Sequence, residues 1–341
     1  MESLNLYSPC QHGFRKNRSC VTQLLEVMEH FTSYYEQRIT FDVIYLDFSK
    51  AFDTVPHQRL LSKMNAYGFG PKFLQWTKSF LQDRTQQVRI GKELSNVSKV
   101  TSGIPQGSVL GPVLFTIFIN DLPECVNGLC KIFADDTKVY NTCDNHNILQ
   151  NDLLSLQHWS NTWQLLFNND KCKCIQYGKN NPKHSYHFDT QKGTQEIKVD
   201  SEEKDLGVIF DSSLKFDLHI NSIVNKANKI LGLIKRNFNY IDSGIFIKLF
   251  KALVRPHLEY ANVIWHPAYK YHQIMLENVQ RRATKMVKEI KELSYQDRLE
   301  TLNLPSIKYR QTRADLIQTY KILHNINVNS DSEDFLSLSK N

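Results

Sequence analysis

Disulfide spacing, a secretion signal, internal repeats and a membrane-length apolar run are all missing from this chain of 341 residues. Seven cysteines (Cys10, Cys20, Cys125, Cys130, Cys143, Cys172 and Cys174) make an odd number without framework spacing, which excludes a disulfide-stapled scaffold and fits a reduced, intracellular protein. Cys172, Cys174, His184 and His187 do not make a zinc motif, because Cys-x-Cys is not the spacing such sites use. No apolar segment follows a basic start, so no signal peptide is expected. A run of 21 uncharged residues, 100–120, is broken by Gly103, Pro105, Gly107, Gly111 and Pro112. Its apolar part is too short to cross a bilayer, so a buried helix is expected and a membrane partner is not. No Ser-His-Asp or Cys-His arrangement presents itself, which leaves chemistry without a nucleophilic side chain.

What is present suffices for a substantial core: 41% apolar residues with 11% aromatics, in a length that suits one large domain or two ordinary ones. The net charge of +7 is uneven. Residues 226–313 hold 17 Lys and Arg against 7 Asp and Glu, a balance of +10. A basic C-terminal third points to a polyanion partner, nucleic acid before membrane, although ordinary helices with solvated basic faces share that composition.

Apolar spacing predicts helices over residues 21–35, 58–67, 72–81, 109–119 and 147–167. Residues 41–47, 129–134, 139–140 and 172–177 read as strands, 86–90 and 97–101 as a hairpin with Gly91 near its turn, and 183–210 as further short strands. From Leu214 the pattern is all helical: 219–237, 243–255, 271–290, 295–302 and 307–324, with Pro256, Pro267 and Pro305 as separators. The Gly- and Arg-containing stretch Gln11 to Ser19 leads into the first helix and is suited to touching phosphate.

The chain is organised around Lys131-Ile-Phe-Ala-Asp-Asp-Thr-Lys-Val-Tyr140. One Asp in a hairpin turn needs no explanation. Two adjacent carboxylates between buried strands are costly without a compensating cation or donor. Asp47 ends another buried strand, and if the strands are neighbours Asp47 and Asp135 face each other. Alternation of side chains along a strand keeps Asp136 from joining them unless the turn bends, which makes Asp135 the main partner and Asp136 peripheral. Hard carboxylate ligands suit Mg2+, and two such ions about 3.5–4 Å apart can activate a hydroxyl and stabilise the leaving oxygen of an in-line phosphoryl displacement. That is nucleotidyl transfer.

Three segments in order carry a resemblance. Tyr45-Leu-Asp-Phe-Ser-Lys-Ala-Phe-Asp53, Ser102-Gly-Ile-Pro-Gln-Gly-Ser-Val-Leu-Gly-Pro112 and Phe133-Ala-Asp-Asp136 resemble the A, B and C motifs of reverse transcriptases of non-LTR, LINE-type retrotransposons of the jockey-like branch. Asn169-Asp-Lys171 is similar to the family's D motif and Asp205-Leu-Gly-Val208 to the primer-grip hairpin. Leu253 to Tyr260, Val279 to Ala283 and Arg313 to Ile317 resemble its thumb. The resemblance implies an α+β fold: a right-hand polymerase palm, a ferredoxin-like sheet with helices on one face, followed by an all-helical thumb-like domain. It divides the chain into 1–40 (connection from the fingers), 41–212 (palm), 213–325 (basic helical thumb) and 326–341 (loose tail).

By the same resemblance Asp47, Asp135 and Asp136 are the catalytic metal triad, holding two Mg2+ ions with Mn2+ as the alternative. Phe52 packs under the incoming sugar, Gln106 and Gly107 contact nucleotide and template, and Lys171, with Lys173 as its competitor, approaches the triphosphate. Arg15, Arg281, Arg282 and Lys285 are candidate nucleic-acid contacts, and the partners are an RNA template, a DNA primer and dNTPs. Phe52 disfavours a ribonucleotide-using palm. Only ten residues precede Gln11, where the family's fingers strands are expected, so the chain reads as an open reading frame starting inside the polymerase. A catalytically inactive nucleic-acid-binding relic is therefore the second reading.

Overall fold

The computed structural model of the protein describes residue 1, residues 4–190, residues 193–324 and residue 326; the expected tail over 326–341 lies, apart from Ile326, outside these. The chain divides into two compact units, Met1–Ser201 and Glu202–Asn341.

In the first unit α1 (Cys20–Glu36) is opened by Ser19, which forms a capping box with Thr22. It leads to β1 (Phe41–Leu46), then α2 (Ala51–Thr54), α3 (His57–Ala66) and α4 (Pro71–Leu81). The expected hairpin is instead two nested ladders of two-residue strands: β2 (Thr85–Gln86) with β5 (Ser98–Lys99), and β3 (Arg89–Ile90) with β4 (Glu93–Leu94). All eight residues are exposed, so no buried face lengthens the pairing. Then come α5 (Leu110–Ile119), β6 (Leu129–Phe133), β7 (Asp136–Thr142), α6 (His146–Trp163), β8 (Lys173–Tyr177), β9 (His187–Thr190), β10 (Gly193–Glu196) and β11 (Lys198–Asp200).

A five-stranded sheet in the order β11-β8-β1-β7-β6 organises this unit. β1 lies at its centre, antiparallel to β7 (Ile44 opposite Val139) and to β8 (Ile44 opposite Cys174); β11 alone runs parallel to its neighbour. Ile44, Leu46, Val139 and Cys174 share one face and join a core with Phe115 and Phe118 of α5 and Leu149, Leu153 and Leu156 of α6. A helix lies over the other face as well, in addition to the face that the resemblance implies is covered. Phe31 of α1 packs against Phe41, Tyr140 and Tyr177 at ring distances of 4.9, 5.5 and 5.2 Å. A strand buried on both faces reads as a nearly continuous apolar run, as β1 does.

Two helices depart from expectation. The spacing brings Leu60, Leu61 and Met64 of α3 inward, yet Lys63 is also buried. Its ammonium donates to the Phe118 carbonyl and to Asp121 and lies 3.8 Å from the Trp163 ring centre, and burial lowers its pKa to about 8 against the opposing charge of Asp121. α6 stops at Trp163 rather than running to 167, because Gln164 turns left-handed (φ 59°).

The second unit begins with the hairpin β12 (Glu202–Asp205) and β13 (Val208–Asp211), placed by the sequence in the first domain with a boundary near 212. Side-chain bonds tie it forward. Asp211 accepts from the amides of Ser213 and Phe216, His219 from the Ile209 amide, and Tyr260 donates to the Leu206 carbonyl. The helices are α7 (Asp217–Asn237), α8 (Ser243–Leu249), α9 (Arg255–Glu259), α10 (Asn262–Trp265), α11 (Lys270–Thr284), α12 (Tyr295–Thr301) and α13 (Ile307–Leu323). Pro256 does not separate helices as expected. A π-helical turn, Phe250–Val254, joins α8 to α9, and Pro256 sits in the first turn after it, where a missing N–H costs least.

Candidate active site

Asp47 immediately follows β1, and the chain segment just past α6 braces it. The Asp47 carbonyl accepts from the Asn168 amide (2.8 Å), Ser49 N–H donates to the Leu166 carbonyl (2.8 Å), and Phe48 forms an antiparallel bridge with Phe167, their rings stacked at 4.5 Å. Residues assigned by spacing to the last turn of a helix therefore fix the first carboxylate. Lys171 extends from the same brace, its Nζ 3.3 Å from Asp47 Oδ2. Lys173 is paired instead with Asp200 at 3.4 Å. Of the two competing lysines, Lys171 is the one at the carboxylate.

Asp135 sits in the two-residue turn between β6 and β7, where Phe133 pairs with Asp136. Ala134 takes the left-handed conformation (φ 57°) that closes so tight a turn. Burial raises the Asp135 pKa, and the negative charge of Asp47 raises it further, so the two carboxylates feel each other. Asp136, the first residue of β7, is exposed.

The Pro-Gln-Gly loop is fastened to the residues after Asp47. Ile104 N–H donates to the Phe52 carbonyl (2.8 Å), Gly103 N–H to that of Val55 (2.9 Å), and Gln106 Nε2 to Asp53 Oδ1 (2.8 Å). Gly103 is required there: its φ is 83°, and a Cβ would stand 2.5 Å from the Asp53 carbonyl oxygen. Gly107, at φ 76°, faces open space. Phe52, half-buried, stacks on Phe115 of α5 at 4.3 Å. Beside the loop lies a cleft of about 740 Å³ lined by Lys50, Asp53, Arg84, Lys99 and Gln106.

The stretch from Gln11 to Ser19 is folded in at its start and exposed further on, at Lys16, Asn17 and Ser19. Gln11 and His12 are buried, and His12 N–H and the Cys10 carbonyl bond to both sides of Ile132 on β6. Arg15 donates to the Ser8 carbonyl (2.9 Å) and lies over the Tyr7 ring. Arg84 and the brace over 164–168 went unread in the sequence because nothing in their local composition marks them.

In the second unit Arg282 and Lys285 line a cleft of about 850 Å³ with Lys235, Lys288, Lys291 and Phe238. Arg281, over the Tyr295 ring at 4.7 Å, lines another of about 570 Å³ that shares Arg282 and Lys285.

A divalent cation fits the first unit's carboxylates on one observation in particular. Asp47 Oδ2 is shielded from solvent and accepts no hydrogen bond, the Lys171 ammonium standing near only as an ion pair. Such an atom is the kind that a hard cation satisfies. Among the described residues no group of three or more His, Cys, Asp or Glu side chains is gathered tightly enough to hold a metal; Asp47 follows the strand position opposite Thr137, and its charge is felt at Asp135.

The family model described as reverse transcriptase (RNA-dependent DNA polymerase) matches residues 1–210. Among curated proteins, the RNA-directed DNA polymerase from mobile element jockey of Drosophila funebris is 31% identical over 302 residues, covering 82% of this chain and 31% of its own length. The probable RNA-directed DNA polymerase from transposon X-element of Drosophila melanogaster is 26% identical over 306 residues, covering 84% and 32%. The chain thus spans about a third of the length of these relatives. A solved telomerase from Candida albicans, in complex with a fragment of telomeric RNA, superposes with a TM-score of 0.46 at 11% identity, over 87% of this chain and 55% of that one. Among the described residues no helix is long and apolar enough to cross a membrane. With the match running through all three acidic motif positions and over more than half of its length, the chain belongs to the reverse transcriptase (RNA-dependent DNA polymerase) family.

Proposed function

We propose that this chain is the polymerase module that extends a DNA primer on an RNA template with dNTPs. The observation that carries the reading is the strand pairing that sets Asp47, at the end of β1, beside the turn holding Asp135, because β1 and β7 are antiparallel neighbours with Leu46 opposite Thr137; Asp47 Oδ2 accepts no hydrogen bond, and burial and the Asp47 charge raise Asp135. In the reaction the primer 3′-oxygen bonds the α-phosphorus as the bond from that phosphorus to the β-phosphate oxygen breaks, the hydroxyl proton passing to solvent and pyrophosphate leaving. Asp47, Asp135 and Asp136 would hold Mg2+, two ions or Mn2+ in their place, which would supply the Lewis acidity for the transfer. Asp47 and Asp135 would carry most of that charge, with Asp136 as the outer third carboxylate. Lys171, 67% exposed, has the reach for a triphosphate oxygen. Phe52, held flat by Phe115, offers a ring under the sugar and so favours deoxyribose. Gln106 and Gly107 border the base and template side, and Arg281, Arg282 and Lys285 bind backbone phosphate. Arg15, engaged with Ser8 and Tyr7, is given no such part.

The test is primer extension on poly(rA)/oligo(dT) with dTTP and Mg2+. Wild type extends, and Asp135→Asn loses on the order of a thousandfold in rate, the several kcal/mol a catalytic cation supplies. Extension that survives Asp135→Asn contradicts the assignment. Binding without turnover is the second reading, favoured by the finding that among the described residues no three or more acidic, Cys or His side chains gather as for a metal. It predicts salt-sensitive nucleic-acid affinity with no product.

A further inference from the structure

The segment before α1 is built into the back of the acidic hairpin. Gln11 bridges in parallel to Ile132 on β6, with His12 N–H donating to the Ile132 carbonyl (2.8 Å) and Ile132 N–H to the Cys10 carbonyl (2.9 Å). This register delivers the Gln11 side chain to the turn. Its Oε1 accepts from the Ala134 amide at 3.1 Å and from the Gly13 amide at 2.6 Å.

We propose that Gln11 is a positioning residue for the proposed polymerase site: its side-chain carbonyl holds the backbone of Ala134 and so sets the direction in which Asp135 leaves the turn. The first residue of a two-residue turn has no ladder partner for its amide, and a buried N–H without an acceptor is costly. Gln11 is 1% exposed, so water cannot substitute. Two N–H donors at the same atom fix which end of the amide is oxygen. Ala134 needs the support, because a left-handed alanine costs about 1–2 kcal/mol. Gly13 permits the approach: a Cβ there would stand 2.4 Å from Ala134 N. The segment is in turn pinned by His12, whose Nε2 lies 3.2 Å from Glu26 of α1, itself paired with Lys131 of β6. Asp135 follows Ala134 directly, so rotation of the Ala134 backbone swings the carboxylate away from Asp47.

The contact needs no turnover to be tested; its consequence rests on the polymerase reading. Amide hydrogen exchange at Ala134 and Mg2+-dependent primer extension are measured for wild type, Gln11→Met and Gln11→Glu. Gln11→Met keeps the volume and removes the acceptor; its Ala134 amide should exchange about tenfold faster, the worth of one hydrogen bond. Its kcat should fall about tenfold or more, as displaced catalytic groups do, with a severalfold higher Mg2+ requirement and unchanged primer–template affinity. Gln11→Glu keeps an acceptor and should restore protection at Ala134. Unchanged Ala134 exchange in Gln11→Met overturns the contact. Faster exchange with unchanged kcat and Mg2+ requirement overturns the positioning role, as does a loss of protection spread evenly through β6 and β7. If wild type itself fails to extend primers, the polymerase reading fails, while the Ala134 amide still decides the contact.

Discussion

At the scale of single residues, charge that is buried has to be answered, and the answers differ in how plainly they are written. Asp47 and Asp135 were legible because two carboxylates in apolar strands are chemically conspicuous. Gln11 was not: a glutamine in a polar stretch has no feature announcing that its oxygen will meet an amide 123 residues away. Glu26 is a third case. Burial alone would raise it, yet the His12 hydrogen bond and the charges of His12 and Lys131 outweigh that and lower it to about 2. A carboxyl lowered in the folded state stabilises above its unfolded value near 4.5 and loses that contribution as pH falls towards 2. Burial also lowers His12, so acid opposes folding there too, beginning below 6.5. Thermal midpoints should therefore fall steadily from pH 6.5 to pH 3, with up to about 3 kcal/mol at stake in Glu26; Lys131→Met should flatten the slope below pH 4.5. Phe52→Val separates two roles for one ring. If the ring only fills the core against Phe115, the substitution lowers the melting temperature and leaves the ratio of kcat/KM for dTTP over UTP alone. The proposed sugar contact predicts that the ratio falls at least tenfold.

At the scale of elements, spacing located nearly every helix and the strands of the central sheet, because these are decided by apolar faces that recur every 3.6 or every 2 residues. It failed where a chain reversal depends on backbone conformation in residues not specialised for it. Gln164 ends α6 in the left-handed region without being glycine, so the brace under Asp47 looked like more helix. The position is exposed, and Gln164→Gly should raise stability by up to about 1 kcal/mol, read as a higher urea midpoint. Gly103→Ala should do the reverse. Its Cβ meets backbone rather than a yielding side chain, so we expect a loss of roughly 1–3 kcal/mol together with weakened dNTP binding as Gln106 is displaced from Asp53. Pro256 misled for a related reason: proline forbids an ordinary helix interior but not the turn after a π-helical segment.

At the scale of the whole molecule, the uneven charge foresaw a basic second unit, and the clefts around Arg282 and Lys285 concentrate it. The unit's limits were less legible. The hairpin over Glu202–Asp211 looks like one more pair of palm strands until Asp211, His219 and Tyr260 are seen binding it to the helices that follow. Replacing Lys235, Arg282 and Lys285 together by alanine should weaken primer–template binding similarly for all sequences and reduce the slope of log affinity against log salt by about 2–3, one counterion per lost phosphate contact.

The claim on which everything turns is that Asp47 and Asp135 share a cation. Mn2+ binding, followed by the EPR signal of the unbound ion in the presence of primer–template and a non-hydrolysable dNTP, measures this directly in wild type, Asp47→Asn, Asp135→Asn and the double variant. A shared site predicts that either single substitution weakens binding about tenfold or more and that the double variant loses little beyond that, since ligands of one ion are not additive. Unchanged affinity in either single variant, or losses that simply add in the double, would contradict it.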